Sequence, residues 1–170
     1  IEGSEFDIPF SLIDDHPNLV ISRSFSKAHG LAALRLGFCV SNPELSDYLN
    51  RVRQPFNANS LALDLGKVAL SDQEHISKSV KINSSGMERV KKAFANLDYN
   101  FIESWGNFIS FDAKQDSDVA FQYFLEKGVI LRSLKVYEMP HHLRVSIGTE
   151  EEMDFFLQVL EDYEKDLSKK

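Results

Sequence analysis

Ser22-Arg23-Ser24-Phe25-Ser26-Lys27-Ala28-His29-Gly30-Leu31-Ala32-Ala33-Leu34-Arg35-Leu36-Gly37-Phe38 is the stretch that decides the fold of this chain. Lys27 follows two serines and precedes Arg35 by eight residues, with Gly30 between them. An amine that attacks a carbonyl must first lose a proton, and cationic or apolar neighbours favour that loss. A phosphate handle on the same ligand calls for hydroxyl donors and a planar guanidinium. Ser24, Ser26 and Arg35 are the right residue types for it. On one side lies the apolar run Asn18-Leu19-Val20-Ile21-Ser22, on the other Arg35-Leu36-Gly37-Phe38-Cys39-Val40. Two buried strands joined by a functional loop suit an open α/β sheet, whose ligands sit at strand ends.

The seventeen residues from Ser22 to Phe38 resemble the lysine motif of fold-type I aminotransferases that use pyridoxal 5'-phosphate. Within that group they are most similar to the histidinol-phosphate aminotransferases. The resemblance extends over residues 1–170. It implies an α/β fold, with part of a large cofactor domain and a complete small C-terminal domain. It also implies that Lys27 joins the cofactor aldehyde and later moves a proton at the substrate's α carbon. Ser24, Ser26 and Arg35 would hold the cofactor phosphate. The opening Ile1-Glu2-Gly3-Ser4-Glu5-Phe6 is similar to the segment after the family's Asp-Glu-Ala-Tyr motif, so the chain reads as the C-terminal part of a longer enzyme. In relatives an aspartate faces the pyridine nitrogen and an aromatic residue stacks on the ring, both from segments upstream. The resemblance therefore implies an inactive fragment.

Composition sets the outer bounds. The chain has 170 residues, 43% of them hydrophobic and 26% charged, which fits a soluble globular protein. Net charge is -7, and the lysines and arginines form no basic stripe, so nucleic acid is not an expected partner. No apolar run approaches the roughly 20 residues of a membrane span. A single cysteine, Cys39, excludes an internal disulfide and suits a reducing cytoplasm. Its place in an apolar strand predicts burial. The five histidines form no metal-ligand pattern.

Downstream, Pro43 opens a helix that runs to Arg51. Gln54-Pro55-Phe56-Asn57-Ala58-Asn59-Ser60 breaks the helical pattern and reads as a hinge, which sets the domains at 1–58 and 59–170. Helices are predicted from Ser60 to Leu70 and, capped by Asp72, from Gln73 to Asn96. Gly86 in the second marks a kink or a close approach. Strands are predicted at Tyr99–Ile102, Asn107–Phe111, Val129–Arg132 and Leu143–Ile147. A helix from Asp116 to Lys127 stops at Gly128, and Thr149 with Glu152 forms a capping box for the last helix.

Arg132 and Arg144 sit among apolar strand residues, which predicts buried guanidinium groups that need an anion. From the residues alone, a structural ion pair is the preferred reading over a ligand. The resemblance assigns Arg144 to the carboxylate of an amino-acid substrate, and both arginines to the phosphate of histidinol phosphate. Asn107 matches a family segment that lines the site, although a turn role fits it equally. Asn57 and Asn59 match a family loop near the dimer and active site, or serve as ordinary caps. His29 reads as a stacked ring. Tyr137 carries no assigned role, and Glu138 stands where relatives have glycine. The implied reaction moves an amino group between histidinol phosphate and 2-oxoglutarate, or glutamate in reverse, in a homodimer. A phosphothreonine decarboxylase or an aromatic amino-acid aminotransferase of the same fold shares the lysine motif. A non-catalytic aminotransferase-like binding module is the reading from another class, and Lys27, Arg35 and Arg144 together argue against it.

Overall fold

The computed structural model describes residues 10–169, so the reading of Ile1–Phe6 lies outside the described residues. The chain is mixed α/β and separates into two compact units, one ending at Ser79 and the other beginning at Val80. That division falls inside a helix, downstream of the hinge at Gln54–Ser60.

In the first unit, Leu12–Asp15 (α1) precedes strand Ile21–Ser24 (β1), which pairs antiparallel with Gly37–Val40 (β2). The register sets Ser24 opposite Gly37, and Phe25 N donates to Leu36 O at 3.1 Å. A Cβ on Gly37 would lie 2.9 Å from the Arg23 carbonyl oxygen, so only glycine lets the strands approach this closely. Pro43–Val52 (α2) starts at Asn42, whose side chain accepts from Leu45 N, with Pro43 in the first turn. Ser60–Ser71 (α3) starts at Asn59, whose side chain accepts from Ala62 N. Ile13, Ile21, Phe25, Ala62 and Gly66 are buried in this unit.

Burial of the two strands is corrected here. Only Ile21 of β1 is buried, Phe38 is 38% exposed and Cys39 is exposed. Among the described residues β1 and β2 form a two-stranded sheet, so no further strand flanks either edge. Apolar composition sets what a strand can bury, and neighbours set what it does bury.

The second unit has a four-stranded antiparallel sheet. Its strands are Phe101–Ile102 (β3), Phe108–Asp112 (β4), Arg132–Ser133 (β5) and His142–Ser146 (β6), in the spatial order β3-β4-β6-β5. One face carries Ile109, Phe111, Leu143 and Val145, all buried. Three helices pack on that face: Gln73–Asn96 (α4), Ser117–Glu126 (α5) and Glu150–Leu167 (α6). They contribute Val90 and Phe94, Ala120 and Phe124, and Met153, Phe156, Leu160 and Tyr163. The rings interlock, with Phe94 and Phe111 centroids 4.7 Å apart and Phe124 and Tyr163 centroids 4.9 Å apart.

The helix ends follow the sequence chemistry. Asp72 Oδ1 accepts from His75 N, Asp116 caps α5, and Gly128 at φ 84 ends it. Thr149 and Glu152 form the reciprocal box that opens α6. Gly86 marks a close approach, because a Cβ there would lie 2.5 Å from Ile147 Cγ2, and α4 continues through it. Strand bounds differ from the sequence reading mostly by a residue or two. The Val129–Arg132 run shortens to the pair Arg132–Ser133, since Val129 and Leu131 are buried ahead of the ladder.

Candidate functional site

The Lys27 loop is closed by backbone hydrogen bonds, with Phe25 buried at its base. At its base, Leu31 N donates to Phe25 O at 2.9 Å. Within it, Gly30 N donates to Lys27 O at 2.8 Å, and Gly30 holds φ at 71°, where a Cβ would strain the backbone. Ser24 Oγ accepts from Ser26 N at 3.0 Å, a serine turn that leaves the Ser24 hydroxyl proton free to donate. Arg35 closes the turn Ala32–Leu34 at φ 52, and its Nη1 donates to Ala32 O at 2.8 Å. The His29 ring stacks 4.9 Å from Phe25, with Nδ1 lacking a partner among the described residues.

Lys27 is exposed and has no ion-pair partner among the described residues. A free amine, two adjacent hydroxyls and a guanidinium with unused donors form a donor set that fits an aldehyde bearing a phosphate. A cavity of about 190 Å³ opens behind the loop, lined by His29, Leu31, Leu65, Val68, Asp72 and His75 among others.

The second unit holds the other candidate residues. Arg132 and Arg144 are direct cross-strand partners, and Arg144 also faces Ser110. Directly opposed side chains share a face, so both arginines project from the face away from the aromatic core. Their expected burial is corrected: Arg132 is exposed and Arg144 half-buried. Along a strand the faces alternate, so buried Leu143 and Val145 flank an arginine that points the other way. Like charges directly opposed are unfavourable without a counterion. Neither arginine has a carboxylate partner among the described residues. Aromatic groups flank them instead. Arg144 lies 4.6 Å from the Phe108 ring centroid, and Arg132 Nη2 donates to Tyr137 Oη at 3.0 Å.

Asn107 is exposed, and its backbone oxygen accepts from Ile147 N at 2.8 Å. The preceding Gly106 is gripped by Asn83 and by the Ser104 hydroxyl. Asn107 thus starts the strand whose first residue, Phe108, underlies Arg144. Asn59 caps α3, and Asn57 Oδ1 accepts from Arg53 at 3.1 Å.

Phe108 and Tyr137 are the contributors that sequence reasoning missed. The clue to Tyr137 was Glu138, which adopts φ 61 in a position that favours glycine. Behind β5 a polar cluster ties the sheet edge to α5. Ser117 and Ser133 hydroxyls lie 2.9 Å apart, and Lys135 Nζ bridges Asp118 at 2.6 Å and Asp116 at 3.3 Å. The backbone N–H of Asp118, with help from Lys135, holds the Asp116 carboxyl below the usual carboxylate range. The two aspartates, Asp118 first, raise Lys135 in turn.

The chain is similar to known proteins over most of its length. The family model of class I and II aminotransferases matches residues 3–160. Histidinol-phosphate aminotransferase 1 of Nitrosococcus oceani is 46% identical over 160 residues, covering 93% of this chain and 43% of its own length. Histidinol-phosphate aminotransferase 2 of Pseudomonas aeruginosa is 47% identical over 159 residues, with 94% and 43% covered. A crystal structure of the Sinorhizobium meliloti histidinol-phosphate aminotransferase, in complex with pyridoxal-5'-phosphate, superposes with a TM-score of 0.79 at 25% identity. It covers 91% of this chain and 44% of that one. The chain thus spans about 43% of the length of these curated relatives.

Proposed function

This chain belongs to the class I and II aminotransferase family, and from that premise we propose that it is part of a pyridoxal 5'-phosphate-dependent histidinol-phosphate aminotransferase. When bound, the cofactor supplies an electron sink for a carbanion at the substrate's α carbon. Lys27 Nζ would hold the cofactor through its aldehyde group, and as a neutral amine it would carry the α proton. Ser24 and Ser26 donate to its phosphate, and Arg35 neutralises that phosphate. Arg144 and Arg132 clamp the substrate anion, which is the phosphate of histidinol phosphate in one half-reaction and a carboxylate of glutamate or 2-oxoglutarate in the other. Asn107 belongs with the two arginines as a substrate-binding residue.

In this reading residues 1–58 belong to the large cofactor domain and 59–170 form the small domain. The working enzyme is a cytoplasmic homodimer, and this chain alone does not turn over. The observation that carries the proposal is the pair of opposed arginines with no carboxylate partner among the described residues, in a chain that also carries the free lysine. Incubation with pyridoxal phosphate, borohydride reduction and peptide mapping should label Lys27. A label on a different lysine would overturn the assignment. Adding glutamate to the purified chain with cofactor should give no pyridoxamine form, and robust conversion would refute its inactivity.

A further inference from the structure

We propose that Tyr137 is a positioning residue that presents Arg132 to the substrate anion, an inference that rests on the proposed role of Arg132. Tyr137 is 57% exposed, so burial of its ring does not account for its placement. Its ring lies 5.7 Å from the Arg132 guanidinium carbon, and its hydroxyl accepts from Nη2 at 3.0 Å. A free arginine on an edge strand samples many rotamers, and ordering it costs entropy at the moment of binding. One neutral acceptor on one edge of the guanidinium removes part of that cost. It leaves the other donors unspent, which a carboxylate partner would not do.

The chain holds Tyr137 in this place with unusual means. Tyr137 ends a single 3-10 turn, Lys135–Tyr137, with Tyr137 N donating to Leu134 O at 2.8 Å. The turn is fixed at its start by Lys135, bridged to Asp116 and Asp118, and by buried Leu134, whose N donates to His142 O at 3.0 Å. It is fixed at its end by Glu138 at φ 61, a backbone region that non-glycine residues avoid. Local strain of this kind persists where the surroundings over-determine it. Here it sits directly after the tyrosine whose phenol contacts Arg132.

The test is a double-mutant cycle read by inorganic phosphate binding to the chain, with the thermal midpoint as control. Arg132→Gln should weaken phosphate binding by about tenfold, the loss of a charged hydrogen-bonding partner. Tyr137→Phe should weaken it by about fivefold while leaving the midpoint unchanged. Combined with Arg132→Gln, Tyr137→Phe should cost nothing more, because it acts through the arginine. Additive losses, or unchanged affinity in Tyr137→Phe beside a clear loss in Arg132→Gln, would overturn the positioning role and leave the anion site standing. Unchanged affinity in Arg132→Gln would remove the anion role of that arginine, and this inference with it.

Discussion

The unit ending at Ser79 and the unit beginning at Val80 draw on the same residue types and use them differently. In the second, aromatic side chains from three helices and the sheet close into one core: Phe94, Phe111, Phe124, Phe156 and Tyr163 are fully buried. In the first, Val52 is 80% exposed, Phe56 97% exposed, and Leu61, Leu63, Val68 and Leu70 of α3 are all exposed. The candidate cofactor lysine belongs to the poorly covered unit, and the paired arginines belong to the well-packed one. Anchoring a substrate anion asks for a rigid floor, and the second unit has one. The lysine loop is held by hydrogen bonds within its own backbone and by one buried ring, Phe25, which stabilise it far less than a closed core would.

The largest effect that tests this contrast is deletion of a core ring. Phe94→Ala should destabilise the second unit by about 4 kcal/mol in urea unfolding. Leu61→Ala in α3 should cost less than about 0.5 kcal/mol, because little is buried there to lose. Similar costs for both would break the comparison.

A finer probe adds a methyl group to each unit. A Cβ on Gly86 would lie 2.5 Å from Ile147 Cγ2, and one on Gly66 would lie 2.5 Å from Leu36 Cδ2. Ile147 is β-branched and held by the core, whereas Leu36 ends in a flexible side chain. Gly86→Ala should therefore cost about 1–2 kcal/mol after its gain in helix propensity. Gly66→Ala should be neutral, or stabilising by up to about 1 kcal/mol.

Two smaller effects sharpen the picture within the second unit. Glu138→Gly relieves the left-handed backbone and should raise stability by about 0.5 kcal/mol in the same assay, the relief exceeding the added chain entropy. Because the folded state depresses Asp116, its charged form contributes stability above the unfolded carboxylate pKa of about 3.9, and that contribution is lost as pH falls through the lower folded value. Asp116→Asn keeps a cap for α5 but not the charge. Its thermal midpoint should lie below that of the parent at neutral pH, and the gap should close in acid. A gap that persists at low pH would assign the effect to the cap instead.

Much of this was legible in the sequence where the signal is local. Asp72, Asp116 and the Thr149–Glu152 box announce their helices through hydrogen bonds that span only a few residues. The apolar periodicity of α6 places Met153, Phe156, Leu160 and Tyr163 in the core. Burial that depends on distant neighbours was not legible. Cys39 and Phe38 looked like core because their own residues are apolar, yet covering them requires elements the sequence pattern does not specify. The arginines were found by type, but their cross-strand opposition depends on β5 joining the edge of β6, a pairing no local pattern encodes. The Tyr137 contact was hidden for a similar reason, since a 3-10 turn of three residues leaves almost no periodicity to read.

The local closure of the hairpin also sets a timetable. Strands β1 and β2 meet across the short Lys27 loop, and hairpins of this kind form in about 1–10 μs. The pairing of β4 with β6 closes a longer loop, since α5, β5 and the Tyr137 turn lie between them in sequence, and the second unit is expected to be the slower to assemble. An isolated two-stranded hairpin is marginal in water, so early formation does not make it permanent. The lysine loop is therefore expected to form early, and how long it stays closed depends on what comes to rest against the open sides of its two strands.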